Sequence, residues 1–201
     1  KLGDPEKGIA LLIENGLNDP AASLLAQIGH HGEAARYYLK AGKEMLAAEN
    51  FEKAGEHRSA GELYARLKSH KEAALSFSKA KAWKEAGDSY ELWFLEFRRS
   101  LEGKEQGKAL EQLQELAKAA AYHLRQAGEF KRAAEVCLAA RLPLPAAELL
   151  TQAGELERAA DLYFEKRDLK KAAELYNRAG LKKRAAELIA QLCQKEGRAL
   201  D

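Results

Sequence analysis

The side chains with the richest chemistry in this chain are five histidines, His30, His31, His57, His70 and His123, and two cysteines, Cys137 and Cys193. Zinc bound on helices draws its ligands from positions three or four apart, because only those side chains share a face, and no His, Cys or acidic cluster has that spacing here. His31, His57 and His70 instead recur at one position of a repeat described below, which puts them on the surface near helix starts. His30 and His31 adjoin and point in different directions. The chain has no Gly-x-Gly-x-x-Gly, phosphate loop, Gly-x-Ser-x-Gly or His-Glu-x-x-His. The carboxylates fall in variable polar positions, as a solvated face requires. The residues therefore assign no catalytic group, no cofactor and no metal, and the expectation is a protein that is not an enzyme.

The elements that would position any site follow from composition and period. Of 201 residues, 46% are hydrophobic, 32% charged and 7% aromatic, with four prolines. Much of the apolar content is alanine, which favours helices packed through small side chains. Thirty-three basic and thirty-one acidic residues leave a net charge of +2, which names no partner. Two cysteines without Cys-x-x-Cys spacing point to a reducing, cytoplasmic compartment. No apolar run approaches the about 20 residues a membrane-spanning helix needs. The opening Lys1-Leu2-Gly3-Asp4-Pro5 has no initiator Met, and the chain is expected to be a piece of a longer protein.

A thirteen-residue period organises the sequence. Units begin at Gly3, Gly16, Gly29, Gly42, Gly55, Lys68 and Lys81, and a second series at Glu115, Gly128, Arg141, Gly154, Arg167 and Gly180. The sixth residue is Ala in every unit but the first, where it is Gly8, and a second Ala follows in most. The tenth is large and apolar almost throughout, from Leu12, Leu25, Tyr38 and Phe51 to Tyr163, Tyr176 and Ile189, with Cys137 the exception. Steps of three and four, as in Leu156, Ala159, Ala160 and Tyr163, make each unit one short amphipathic helix. The tenth position is expected to face a core. Glycine in the left-handed conformation should close each helix, and Pro20 and Pro145 mark helix starts at one shared position. Helices of about ten residues are marginal alone in water, so stability must come from stacking on neighbours.

The register breaks over 94–114, between Trp93 and Glu115. The inserted residues remain helical in pattern, with Trp93, Phe97 and Leu101 on one face and Leu110, Leu113 and Leu116 on a return arm, so one hairpin is expected to be longer, turning at Glu102-Gly103-Lys104. The domain reading is a single stack over 1–201, with repeat blocks 3–93 and 115–193 and the insertion 94–114. Trp93, Phe94 and Phe97, flanked by Arg98 and Arg99, are the densest aromatic group. They pack on the hairpin itself or, if it protrudes, anchor a partner.

The segments Gly-Glu-Phe-x-x-Ala-Ala-x-x-Cys-x-x-Ala at 128–140 and Gly-x-x-x-x-Ala-Ala-x-x-Tyr around Tyr38 resemble the second helix of a tetratricopeptide repeat. The Ala-rich, Tyr-punctuated pattern is also similar to helical solenoids of vesicle-coat and intraflagellar-transport subunits. The resemblance spans nearly the whole chain and implies an all-α fold, a right-handed αα-superhelix, that binds peptides or builds assemblies. The departures are a unit of thirteen rather than 34 residues, the missing unit-ending Pro and no matching carboxylate clamp, so only architecture and binding role carry over.

These readings converge on a scaffold or adaptor for a protein or peptide partner. The alternatives are the assembly or regulatory region of a larger protein, or nucleic-acid binding. The last would use the basic residues Lys170, Lys171, Lys182, Lys183 and Arg184, which acids dilute, so an acidic protein partner suits that face better. Neither end carries a polar cap, which predicts self-association through the ends.

Overall fold

The structure, a computed structural model, describes residues 5–197. Gly3, the expected first residue of the first repeat, and the last four residues lie outside the described residues. Among the described residues the chain is helix and turn, without strands. The thirteen helices are α1 (Pro5–Glu14), α2 (Asn18–Gln27), α3 (His31–Lys40), α4 (Glu44–Lys53), α5 (His57–Arg66), α6 (His70–Lys79), α7 (Trp83–Ser100), α8 (Gly107–Gln126), α9 (Phe130–Ala139), α10 (Pro143–Gln152), α11 (Leu156–Glu165), α12 (Leu169–Arg178) and α13 (Lys182–Gly197). They form two compact units, Lys1–Trp93 and Phe94–Asp201. In the first unit α1 to α6 pack each against the next in chain order, and in the second α8 to α13 do the same.

The turn explains the period. In unit after unit the first residue takes positive φ, whether it is glycine, as at Gly29 (86°) and Gly154 (80°), or not, as at Lys68 (58°), Lys81 (55°), Arg141 (58°) and Arg167 (65°). The N–H of the second residue then reaches back to the carbonyl of the preceding tenth residue: His30 to Leu25 at 2.9 Å, Ser69 to Tyr64 at 2.9 Å, Asp168 to Tyr163 at 2.9 Å. The N–H of the first residue bonds one turn in, as Gly29 does to Ala26 at 3.2 Å. This Schellman pair caps each helix and starts the next within three residues. So short a connection folds consecutive helices back on one another. The helix begins at the third repeat residue, so Pro143 is its first residue, and Pro20 and Pro145 are its third, where a missing N–H still leaves no intrahelical bond unmade.

Four columns build the core. The alanine pairs are sealed at 0% exposure from Ala21 and Ala22 to Ala159 and Ala160, save Ala121 at 6%. Position ten is buried from Leu25 to Tyr176, as its apolar character demands. The exceptions correct the expectation that all tenth residues face a core: Leu12 is half-buried and Ile189 is 51% exposed, because α1 and α13 each have a neighbour on one side only. A fourth column, position nine, has no uniform sequence signature and is nonetheless buried at Asn50, Leu63, Ser76, Ser89, His123, Val136, Leu149, Leu175 and Leu188. At position seven Gly61 replaces Ala, and a Cβ there would lie 2.8 Å from the Phe77 ring. The aromatic ring fills the space a methyl would take.

Ion pairs join alternate helices within each unit. Lys79 on α6 reaches Glu52 on α4 at 2.9 Å, and Arg58 on α5 reaches Glu85 on α7 at 2.5 Å. In the second unit Arg158 on α11 meets Glu135 on α9 at 2.7 Å, and Arg184 on α13 meets Glu157 on α11 at 3.0 Å. Odd helices therefore lie beside odd and even beside even, giving each unit the two layers of a helical-repeat stack. The insertion lengthens α7 and α8 to 18 and 20 residues, and Glu102 (φ 49°) and Gly103 (φ 79°) form the turn between them.

Candidate partner-binding surface

A polar cluster centres on Glu52. The Glu52 carboxylate accepts a short hydrogen bond from the Ser76 hydroxyl, pairs with Lys79 and lies 3.0 Å from His57 Nδ1. Burial pushes its carboxyl up, but the bonds from Ser76 and Lys79 with the charges of Lys79 and His57 outweigh that and hold it below the usual carboxylate range. Serine and histidine both bind the carboxylate rather than each other, and Ser76 is 1% exposed, so the hydroxyl is shut away from solvent behind its bond to Glu52. His31, in the same repeat position as His57, lies 3.1 Å from Asn50 Oδ1, and Asn50 donates to the Leu46 carbonyl at 2.8 Å. The recurrent histidines are thus half-buried first residues of their helices, and His31 and His57 bond the neighbouring helix. His123 differs: it is buried at position nine of α8, where desolvation lowers its pKa and keeps the ring neutral.

The aromatic group at the insertion divides by environment. Trp93, half-buried in the first unit, stacks on Tyr90 at 5.9 Å between centroids with Lys71 Nζ 5.8 Å above its ring. Phe94 is fully buried and offers no surface to a partner, which corrects the expectation that it could anchor one. Its place on the inward face of the helix makes it a core side chain. Phe97 is half-buried and Arg99 exposed. Arg98 donates from Nε to Glu105 at 3.1 Å, and Arg141 donates to the other oxygen of Glu105 at 3.2 Å. With a side chain only 11% exposed, Glu105 ties the α7–α8 turn to the α9–α10 turn, so Arg98 is held in a structural pair.

The basic residues do not form one patch. Lys170 and Lys171 lie at the start of α12, while Lys182, Lys183 and Arg184 lie beyond its far end, about 15 Å away along a ten-residue helix. All five are exposed. Lys171 lies 3.9 Å from Asp168 and over the Tyr163 ring at 4.9 Å, and Arg184 lies 3.0 Å from Glu157, 4.0 Å from Asp161 and 5.6 Å from the Tyr176 ring. Beneath Arg184, Tyr176 donates to Asp161 at 2.6 Å, and burial together with that bond pushes its phenol up to about 12.

A different surface stands out by repeat position. Position eight is acidic in most units, at Glu49, Glu62, Asp88, Glu135, Glu148, Asp161, Glu174 and Glu187, but it is Ala10, Ser23 and Arg36 in the first three units, Leu75 in α6 and Tyr122 in α8. Leu75 and Tyr122 are exposed, at 42% and 46%. Tyr122 borders a recess lined also by Lys118, Arg125, Pro145, Leu149 and Gln152, with Cys137 at its floor and Glu148 on its wall. The recess exists because α8 and α10 are alternate helices in one layer with α9 between them. Tyr122 stands edge-on to His123 at 5.1 Å, and the Arg125 guanidinium lies 6.0 Å from its ring. Burial pushes the Cys137 thiol up to about 11, so it stays protonated and unreactive at neutral pH. The recess presents an apolar floor, an aromatic edge and two cations against one carboxylate, with Lys118 also 2.6 Å from Glu115. An aromatic in a column of acids is the sequence signal that marks it.

Among the described residues no three His, Cys, Asp or Glu side chains converge as a metal site, and no helix is long and apolar enough to cross a membrane. No family model and no curated protein matches the chain. Each of the two units is a stack of helical repeats.

Proposed function

We propose that the chain is a protein-interaction scaffold that receives a peptide segment of its partner in the Tyr122 recess. The observation that carries this reading is the exposed aromatic at a position that is acidic in most units, set in an apolar hollow with Arg125 and Lys118 on its rim. Fold demands fix positions one, six, seven, nine and ten, and leave positions four, five, eight and eleven free to carry recognition. Aromatic and arginine side chains in such hollows dominate binding energies. An aliphatic or aromatic residue next to a carboxylate is the matching chemistry. The resemblance to tetratricopeptide repeats supports the same role, and cysteine usage supports a cytoplasmic setting.

Crosslinking capture from native extract would compare the chain with a Tyr122→Ala, Arg125→Ala variant and a Phe97→Ala, Arg99→Ala variant, with helicity checked by circular dichroism. The first pair should weaken capture of a protein partner by about tenfold or more at unchanged helicity. Loss with the second pair alone moves the site to the insertion, and capture of nucleic acid alone overturns the scaffold reading.

A further inference from the structure

The hollow at Tyr122 is one instance of a pattern within the second unit. Positions four, seven, eight and eleven of α8 face positions five, eight, nine and twelve of α10 across position ten of α9. Residues drawn from the same positions line the hollows between α9 and α11 and between α11 and α13. The repeat therefore sets a second hollow between α10 and α12 with Tyr163 as its floor, and Lys171 lies over that ring at 4.9 Å. Arg125 and Gln152 border the first hollow, and Thr151 and Arg178 take the equivalent places at the second.

Positions eleven and twelve set the two layers of this unit apart. On α8, α10 and α12 they are Arg125, Gln126, Thr151, Gln152, Asn177 and Arg178, which gives one amide to each helix, one arginine to each hollow and no carboxylate. All are exposed except Thr151, which is half-buried and donates to the Ala147 carbonyl at 2.8 Å. On α9 and α11 the same positions are Leu138, Ala139, Phe164 and Glu165. Charge follows the same division. At the outward positions four, five, eight, eleven and twelve, α8, α10 and α12 carry Lys118, Arg125, Lys170, Lys171 and Arg178 against Glu148 and Glu174, whereas α9, α11 and α13 carry five cations and five carboxylates. An amide side chain offers both a donor and an acceptor, which is what each peptide unit of an extended chain asks of its surroundings.

Resting on the reading of the Tyr122 recess as a peptide site, we infer that the partner segment is acidic, extended in the manner of polyproline II, and crosses α8, α10 and α12 along this polar row. Its apolar anchor lies at Tyr122, one carboxylate meets Arg125, and a second carboxylate meets Arg178. Helices packed side by side lie about 8 to 10 Å apart, so successive hollows are separated by that distance. A polyproline II chain brings the same face round every three residues, after about 9 Å, so acids three residues apart reach successive hollows. Such a chain makes no internal hydrogen bonds, which leaves its N–H and C=O groups to Gln126, Gln152 and Asn177. The apolar, neutral row of the other layer supplies neither the amides nor the charge.

Fluorescence anisotropy on the full chain tests this with labelled twelve-residue peptides in a proline-rich frame. Each carries one Leu-Asp pair and a second aspartate two, three, four or five residues beyond the first. The spacing of three should bind about tenfold more tightly than the others, the gain of one charge-assisted bond. Arg178→Gln should erase that preference and leave the weaker binding of the Leu-Asp pair, while Tyr122→Ala should weaken every peptide, with helicity of both variants checked by circular dichroism. Binding that needs Tyr122 but ignores spacing and Arg178 leaves the recess standing and overturns the row. A preference for spacing three that survives Tyr122→Ala at undiminished affinity keeps the row and overturns the recess. Peptides that bind no better than a control without leucine and aspartate, or that an equal concentration of a twelve-nucleotide polyuridine displaces, overturn the proposal.

Discussion

Position nine is buried in both units but filled by opposite chemistries. In the first unit its buried residues are Asn50, Ser76 and Ser89 beside Leu63, with Leu24 and Tyr37 half-buried at earlier repeats, and in the second Val136, Leu149, Leu175 and Leu188 with His123 the polar member and Leu162 half-buried. Each polar residue of the first unit has a bond to make: Asn50 to the Leu46 carbonyl, Ser76 to Glu52, Ser89 to the Glu85 carbonyl at 2.8 Å. A buried hydroxyl costs little when its bond is formed and much when it is not. The repeat thus demands that position nine be filled and bonded, not that it be apolar. The first unit answers with a hydrogen-bonded seam reaching Glu52, His57 and Lys79, and the second with aliphatic packing.

Exchanging the two chemistries should break that equivalence. Leu149→Ser should destabilise the second unit by about 3 kcal/mol, mostly through the cavity left by the lost aliphatic volume, since the new hydroxyl can turn back to a carbonyl four residues earlier as Ser89 does. Ser76→Ala, which removes a hydroxyl but little volume, should cost about 1 kcal/mol. Urea denaturation of both variants measures the difference. Equal costs would mean that the aliphatic packing of the second unit contributes no more than the polar seam.

Acid separates the units further. His123 has a folded pKa below that of an exposed histidine, so the unfolded chain binds the proton more readily. Its contribution to the second unit is complete above about pH 6.5 and is lost as pH falls through the lowered folded value. Glu52 is also depressed, but from the carboxylate value of 4.5, so the stability it lends the first unit is present above that pH and lost below it. Hydrogen exchange followed unit by unit should show protection falling first around α8 as pH drops below about 6.5 and around α4 to α6 only in stronger acid. His123→Phe should remove the earlier loss, and simultaneous loss in both units would show that neither group governs its unit.

Much of this was legible in the sequence because the period is written in residue types. Ala at six, a bulky residue at ten and glycine at one announce helix, face and turn, and the broken register at 94–114 announces the longer helices. Position nine escaped because it is occupied by Asn, Ser, His, Tyr, Val and Leu, a mixture that reads as variable until the bonds of Asn50, Ser76 and Ser89 show how a polar residue fits there. Phe94 misled for a related reason: it sits beside Trp93 and Phe97 in sequence, but neighbours on a helix point about 100° apart, and its direction leads inward. The Tyr122 recess joins residues of α8, α9 and α10 that only stacking brings together, although the aromatic in an acidic column was visible beforehand. The basic residues read as a stripe because sequence hides the helix length that parts them.

The smallest expected effect concerns the turn, where the two units share one geometry with different residues. Lys68, Lys81 and Arg167 hold the same left-handed conformation as Gly29 or Gly154 and carry the same Schellman bonds, so the fold rather than glycine sets φ there. An L-residue in that region pays a steric penalty that glycine does not, while glycine loses more chain entropy on folding. The steric term is the larger where φ is 58°, as at Lys68, so Lys68→Gly should raise stability by about 0.5 to 1 kcal/mol in urea titration. Gly154→Lys should lower it by a similar amount, at φ 80°. A destabilised Lys68→Gly would mean that the lysine side chain contributes more to its turn than the backbone strain removes, and that the units beginning with lysine or arginine are chosen for their side chains rather than merely tolerated.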